Sequence, residues 1–295
     1  MDSRKIFEIY KLINDRSIKP VSAWPSIADI PQGMVVLDTD GVVKQKVGDY
    51  LVPDPVTIIG SGPLASAPAA SAVNQNLFYM STDFGLCKYV SVFNNAGSDW
   101  IDCGRPSWLA QLRPNVDAFF IDVVYSIASY SAVGRVYSLE AASSLETQFS
   151  MIPTSNASAT YIRIGGAGTI NIGKVPINTF VRHTLAGKVP ASASQSTLND
   201  NAPVTITSGG SFISPNNLVL GGYSPDPATQ NMEGRIACFR VRNGAGAVID
   251  MLDLNKWDGT GTVRFDSGHA CMVTDGTPFT AKSYSLIPMS VLRCQ

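Results

Sequence analysis

The residues best suited to hold a ligand fall in one oxygen-rich stretch, Tyr223-Ser224-Pro225-Asp226-Pro227-Ala228-Thr229-Gln230-Asn231. It sets an aromatic face beside a carboxylate and an amide, side-chain types that hold sugars or Ca²⁺. Tyr223, Asp226 and Asn231 are therefore the candidate carbohydrate-binding residues, with an ordinary solvated loop as the alternative. No metal ligand set and no cofactor is assigned.

Catalytic chemistry finds less to work with. Glycoside hydrolysis uses two facing carboxylates roughly 5–5.5 or 6.5–9.5 Å apart. Only four glutamates exist, Glu8, Glu140, Glu146 and Glu233, and none has a carboxylate two residues away. Asp250 and Asp253 are three apart, hence on opposite faces of a regular strand. Two distant strands could still supply a pair. A serine hydrolase would need an activated serine, and no Gly-x-Ser-x-Gly elbow is present; His183 sits in an apolar strand pattern and reads as structural. Gly165-Gly166-Ala167-Gly168 invites a phosphate-loop reading, but no Lys-Ser/Thr pair follows, so a glycine hairpin is expected. No catalytic residue is assigned, and the chain is expected not to be an enzyme.

Cysteine and charge narrow the class further. Cys87, Cys103, Cys238, Cys271 and Cys294 are odd in number and widely spaced, which predicts buried free thiols and no disulfide framework. Twenty-two Lys and Arg against 23 Asp and Glu leave a net charge of −1, without the basic footprint that nucleic-acid binding requires. The most apolar stretch, Val116 to Val133, contains Asp117 and Asp122 and is too short and too charged for a membrane helix. Arg4-Lys5 is followed by a charged periodic pattern, so export by a signal peptide is not expected.

The elements that position these residues are mostly short strands. The chain has 295 residues, 15% of them charged, with 25 Gly and 18 Pro, a folded and turn-rich composition. Near the start, Ile6, Ile9, Tyr10 and Ile13 share one face at helical spacing and predict a short amphipathic helix. It docks either on its own chain or on a neighbouring subunit, because a lone helix of this length is marginal in water. Residues 1–59 read as this helix and an extended Pro-rich arm, with a hairpin 34–37/42–45. Residues 60–73, small and uncharged, read as a linker, and 74–104 as a small β unit.

Beyond Arg105 strands are expected at 117–127, 134–140, 145–152, 159–165, 168–173, 178–187, 203–208, 217–221, 234–243, 246–254 and 261–266. Many short strands without helix patterns between them predict a mainly β domain over 105–295, an antiparallel β-sandwich. Tyr161-Ile162-Arg163-Ile164 and Arg240-Val241-Arg242 alternate, so each strand should keep one wet face.

Leu218-Val219-Leu220-Gly221-Gly222, a loop, and Met232-Glu233-Gly234-Arg235-Ile236-Ala237-Cys238-Phe239-Arg240-Val241-Arg242-Asn243 resemble the late part of laminin-G-like and concanavalin A-like domains. Phe180 to Leu185 resembles an earlier strand of the same domains. The resemblance implies a concanavalin A-like jelly roll; such sandwiches serve lectins, glucanases and structural modules alike. The glucanase strand with alternating carboxylates is absent. A second stretch, Phe78 to Tyr89 followed by Asp99-Trp100-Ile101, is similar to a β element of bacteriophage tail and head-surface proteins.

Together these resemblances imply a phage virion surface protein of the tail or head decoration or fibre type, assembled in the host cytoplasm. It would be a non-enzymatic structural component, anchored to other virion proteins by its N-terminal arm and contributing to host-surface attachment. Homo-oligomerisation, as a trimer for instance, would follow particle symmetry. The alternative is a carbohydrate-binding adhesin or polysaccharide hydrolase. Neither nucleic acid nor membrane is an expected partner.

Overall fold

The computed structural model describes residues 19–20, 26–30, 35–37, 43–47, 50–53, 58–130, 134–141, 146–154, 159–166, 168–206, 209–227, 230–274 and 281–292. Ile6, Ile9, Tyr10 and Ile13, the expected helix face, lie outside them. The chain divides into two compact units, Met1–Ala70 with Asn74–Tyr89, and Ser71–Val73 with Val90–Gln295.

In the smaller unit β1 (Lys19–Pro20), β2 (Val35–Leu37), β3 (Val43–Val47) and β4 (Tyr50–Pro53) form a sheet in that order. β2 and β3 are the expected hairpin, with Val36 opposite Lys44. β5 (Ile58–Gly62) runs parallel to β6 (Phe78–Ser81), which turns at Gly85 into β7 (Gly85–Ala96). Gly85 takes φ 72°, open to glycine without strain. The Gly- and Pro-rich stretch after β5 is tied down by tyrosines. Tyr79 Oη donates to the Pro63 carbonyl at 3.3 Å and Tyr89 Oη to that of Pro68 at 2.9 Å. These hydroxyls satisfy backbone carbonyls in a stretch with few backbone donors of its own.

The larger unit is an antiparallel two-sheet β-sandwich, as its alternating strand patterns require. Its remaining strands are β8 (Trp100–Asp102), β9 (Phe119–Ile127), β10 (Tyr137–Glu140), β11 (Thr147–Thr154), β12 (Ala159–Ile164), β13 (Gly168–Asn171), β14 (Val181–Gly187), β15 (Gln195–Leu198), β16 (Val204–Thr205), β17 (Val219–Leu220), β18 (Glu233–Asn243), β19 (Val248–Asp253), β20 (Thr262–Arg264), β21 (Ala270–Thr274) and β22 (Lys282–Pro288).

The front sheet has the order β16-β15-β14-β9-β18-β7, and the back sheet β13-β12-β11-β10-β17-β8-β21-β20. β19 pairs with β18, and β22 with β7. Trp100–Asp102, within the stretch 74–104 that the sequence reads as a small β unit, pairs with β17 and β21 of the back sheet.

Inward residues of both sheets close one core. Tyr137 sits at its centre, edge-on to Phe149 at 6.2 Å and to Phe239 at 5.8 Å, and Phe119 packs on Phe149 at 6.2 Å. Each of these fully buried phenylalanines contributes roughly 1.5–3 kcal/mol by area. His183 faces the same core, as its apolar strand pattern implied; its Nε2 lies 2.7 Å from Ser196 Oγ and its Nδ1 has no partner. The expected glycine hairpin also forms: Gly165 and Gly166 turn β12 into β13 with φ 58° and 87°.

Candidate functional site

The expected ligand loop leaves β17 and is fastened to β10 before its polar residues appear. Ser138 Oγ donates to the Gly222 carbonyl at 2.9 Å and accepts from Ser224 N–H at 2.6 Å. Ser224 Oγ donates to the Asn217 carbonyl at 2.7 Å. Glycines at 221 and 222 are required here: Gly221 has φ 81°, and a Cβ on Gly222 would meet Asn231 Oδ1 at 2.8 Å and the Pro227 carbonyl at 2.9 Å.

The three predicted residues then occupy different depths. Tyr223 is half-buried; its hydroxyl donates to the Ala141 carbonyl at 3.3 Å and Arg135 lies over its ring at 5.0 Å. Asp226 is exposed and closes a turn, its N–H donating to the Tyr223 carbonyl at 3.1 Å. Asn231 is 8% exposed, packed beside Gly222, and neither atom of its amide has a hydrogen-bond partner.

Beside Tyr223, on the outer face of the back sheet, is a charged group that sequence reading did not connect to it. Arg135 Nε donates to Glu140 Oε1 at 2.6 Å, with both side chains buried. Arg163, on the neighbouring strand pair, is within electrostatic range of both. Its pKa is lowered by burial, with Glu140 pulling upward and Arg135 downward. Burial and then Glu140 push the Tyr223 phenol up, while Arg135 and Arg163 pull it down. The signal for Arg163 was legible, since Tyr161-Ile162-Arg163-Ile164 alternates; Arg135 gave none.

A second network occupies the outer face of the front sheet. The Asp122 carboxylate, 1% exposed, accepts from Arg242 Nε at 2.7 Å, Arg240 Nε at 3.0 Å and Thr184 Oγ1 at 2.7 Å. Register brings them together, because Asp122 pairs with Thr184 on one side and Arg240 on the other. Elsewhere Asp250 accepts from Trp108 Nε1 at 2.9 Å and Ser267 Oγ at 2.6 Å. The buried carboxylates Asp122, Glu140 and Asp250 are each engaged by donors of their own chain, and among the described residues no group of three His, Cys, Asp or Glu side chains is placed to hold a metal.

No protein-family model matches the sequence, nor does any curated protein. Among solved structures, the chain is similar to a protein assigned as carbohydrate binding from Bacteroides ovatus ATCC 8483, at 10% identity and a TM-score of 0.48, over 67% of this chain and 60% of that one. The match thus spans less than two thirds of that protein's length. It is also similar to the CBM40 of an IT-sialidase from Ruminococcus gnavus bound to α2,3 sialyllactose, at 13% identity and a TM-score of 0.41, over 52% of this chain and 90% of that one. A SAP-like pentraxin from Limulus polyphemus matches at 10% identity and a TM-score of 0.38, over 52% and 75%. At these values the sandwich assignment rests on the strand pairing itself.

Proposed function

We propose that the chain is a non-enzymatic display protein whose sandwich binds carbohydrate at the loop around Tyr223. The observation that carries this reading is the fixed tyrosine: ring under Arg135, hydroxyl tied to Ala141, with Arg163 in electrostatic range and Asp226 exposed on the same loop. An aromatic surface with a few convergent polar groups is what sugar recognition uses. The absence of catalysis is supported by the carboxylates, since buried acids committed to Arg, Thr, Trp and Ser donors are poor proton donors or nucleophiles.

The finer reading, a phage capsid or tail component anchored through residues 1–59, is supported by the likeness of residues 78–101 to phage surface proteins. Low charge and many turns suit a rigid exposed module. The test is incubation of the purified chain with bacterial surface polysaccharides, scoring retained binding and released reducing ends, with Tyr223→Ala and Asp226→Ala beside it. Binding without release that weakens at least ten-fold in Tyr223→Ala is expected. Released reducing ends overturn the non-enzymatic reading, and unchanged affinity in both variants overturns the placement. For the anchoring role, a chain lacking 1–59 should remain soluble yet fail to join particles; its incorporation would end that reading.

A further inference from the structure

Read along β9, the outer face of the front sheet changes character every second residue. Phe120 lies under the Arg242 guanidinium, 4.5 Å away, and Asp122 is enclosed by Thr184, Arg240 and Arg242. Val124 then joins Val90, Val92 and Cys238 in an apolar band covered by Ile287 and Leu292. The next row is polar again: Ser126, Arg235 and Asn94 stand side by side on β9, β18 and β7. Beyond it Glu233, two residues before Arg235, shares their face, and Asn178 closes the end, its N–H donating to the Ile127 carbonyl at 2.7 Å.

These side chains line a cleft of about 240 Å³. A bulge marks its edge, where the β18–β9 register shifts between Ile236 and Cys238; bulges recur where a strand re-aims side chains toward a site. Gly234, at the cleft's floor, could carry no side chain, because a Cβ there would lie 2.1 Å from the Ser126 carbonyl oxygen.

We propose that this cleft is a second carbohydrate subsite, taking one neutral pyranose ring. The inference rests on the glycan-binding reading above and gives it a ligand class. Size argues for one ring, since pockets for drug-sized molecules start at roughly 300 Å³. Charge argues for a neutral one: Glu233 and Arg235 supply one negative and one positive group, and the other polar liners are uncharged. Sugar hydroxyls both donate and accept, and the cleft offers both halves: acceptors in Glu233 and the amide oxygens, donors in Arg235 and the amide nitrogens. Glu233 and Arg235 are oriented by different neighbours, Ser129 Oγ donating to Glu233 Oε2 and Arg235 Nη1 donating to Ser285 Oγ at 3.3 Å. Each is therefore held in place without being paired to the other.

The test is ¹⁵N-resolved NMR of the whole chain titrated with methyl glucoside, galactoside and mannoside, alongside the polysaccharide panel, for the wild type, Tyr223→Ala, and Asn94→Ala with Glu233→Gln. Both substituted residues are partly exposed, so the double variant should keep the wild-type spectrum elsewhere. The expected result is saturable shifts of the Asn94 and Asn178 side-chain amides and Arg235 Nε–H with one pyranoside, retained in Tyr223→Ala, with an affinity read from Asn178 and Arg235 that is weakened at least five-fold in the double variant. If polysaccharide binds while no pyranoside perturbs these signals, the cleft is overturned and the glycan-binding reading stands. If neither polysaccharide nor pyranoside binds, both fall. Should the double variant misfold, the wild-type shift map alone decides.

Discussion

Arg242 grips Asp122 through two near-parallel hydrogen bonds, Nε to Oδ2 at 2.7 Å and Nη2 to Oδ1 at 2.9 Å. Burial alone would raise the Asp122 pKa; the Arg242 and Thr184 hydrogen bonds and the charges of Arg240 and Arg242 outweigh it and hold it below the usual carboxylate value of 3.8. Such two-pronged geometry is the strong form of a charge-assisted bond.

Asp122→Ala should therefore cost about 2–3 kcal/mol, measured by urea unfolding. That is below the ~3–5 kcal/mol of breaking a fully buried pair, because the arginine side chains keep 18% and 22% of their exposure and can hydrate. The folded pKa is depressed, so this stabilisation is present above the unfolded-state value of 3.8 and is lost as the pH falls below it. The wild type should lose stability in that window more steeply than Asp122→Ala.

His183 acts in a different window. Burial pushes its pKa down to about 3, the Asp122 charge only partly offsetting this. The folded protein keeps the ring neutral while the unfolded chain takes up a proton near the ordinary value of 6.5. Stability is then complete above that value and falls as the pH drops toward 3, by up to about 1.4 kcal/mol per pH unit for one proton. His183→Gln, which can still meet Ser196, should flatten unfolding free energy between pH 7 and pH 5. An unchanged slope would mean that the histidine is solvated in the fold.

The strands from 117 to 266 were legible because each alternates or carries β-branched residues between Gly, Asn or Pro turns, and the structure places a strand within every one of those stretches. β15, β21 and β22 were missed for physical reasons. Gln195-Ser196-Thr197-Leu198 is nearly all polar, and β15 sits near the sheet edge, where burial asks little of the sequence. β21 alternates weakly, with Met272 turned outward at 59% exposure. Tyr223 and Asp226 were legible as loop chemistry, but the Arg135–Glu140 pair beside them and the row Asn94, Ser126, Arg235 were not. The pair lies about 85 residues before Tyr223 in the chain, and the row comes from three strands far apart in sequence that only sheet register makes neighbours.

The thiols make the reading of the cysteines testable. Cys87, Cys103, Cys238 and Cys271 are buried thiols outside any disulfide, and Cys294 lies outside the described residues. Burial, then the Asp83 charge, pushes Cys87 up to about 11, and burial with the Cys271 hydrogen bond raises Cys103. Burial shields all four from reagent, and in Cys87 and Cys103 it also disfavours the reactive thiolate, so all four should resist alkylation at pH 8 in the folded protein and react on denaturation. Rapid native labelling of any of them, mapped by peptide mass, would contradict the core packing.

Asp250 offers a test of how this fold tolerates buried charge. Trp108 Nε1 and Ser267 Oγ both donate to Oδ2, at 2.9 and 2.6 Å, while the Ser267 and Met251 backbone amides donate to Oδ1, each at 3.0 Å. Trp108 also packs edge-on against Phe265 at 5.4 Å, so Trp108→Phe keeps much of the apolar contact and removes the donor. Losing one donor to a buried carboxylate should cost about 1–3 kcal/mol, and Ser267→Ala a similar amount. The two donors share one oxygen, so the double variant leaves Oδ2 without a side-chain donor and should cost more than the sum of the singles by at least ~0.5 kcal/mol. Strict additivity in urea unfolding would mean that water replaces the lost donors, and Asp250 would then be a hydrated surface acid instead of part of the packed edge of the sandwich.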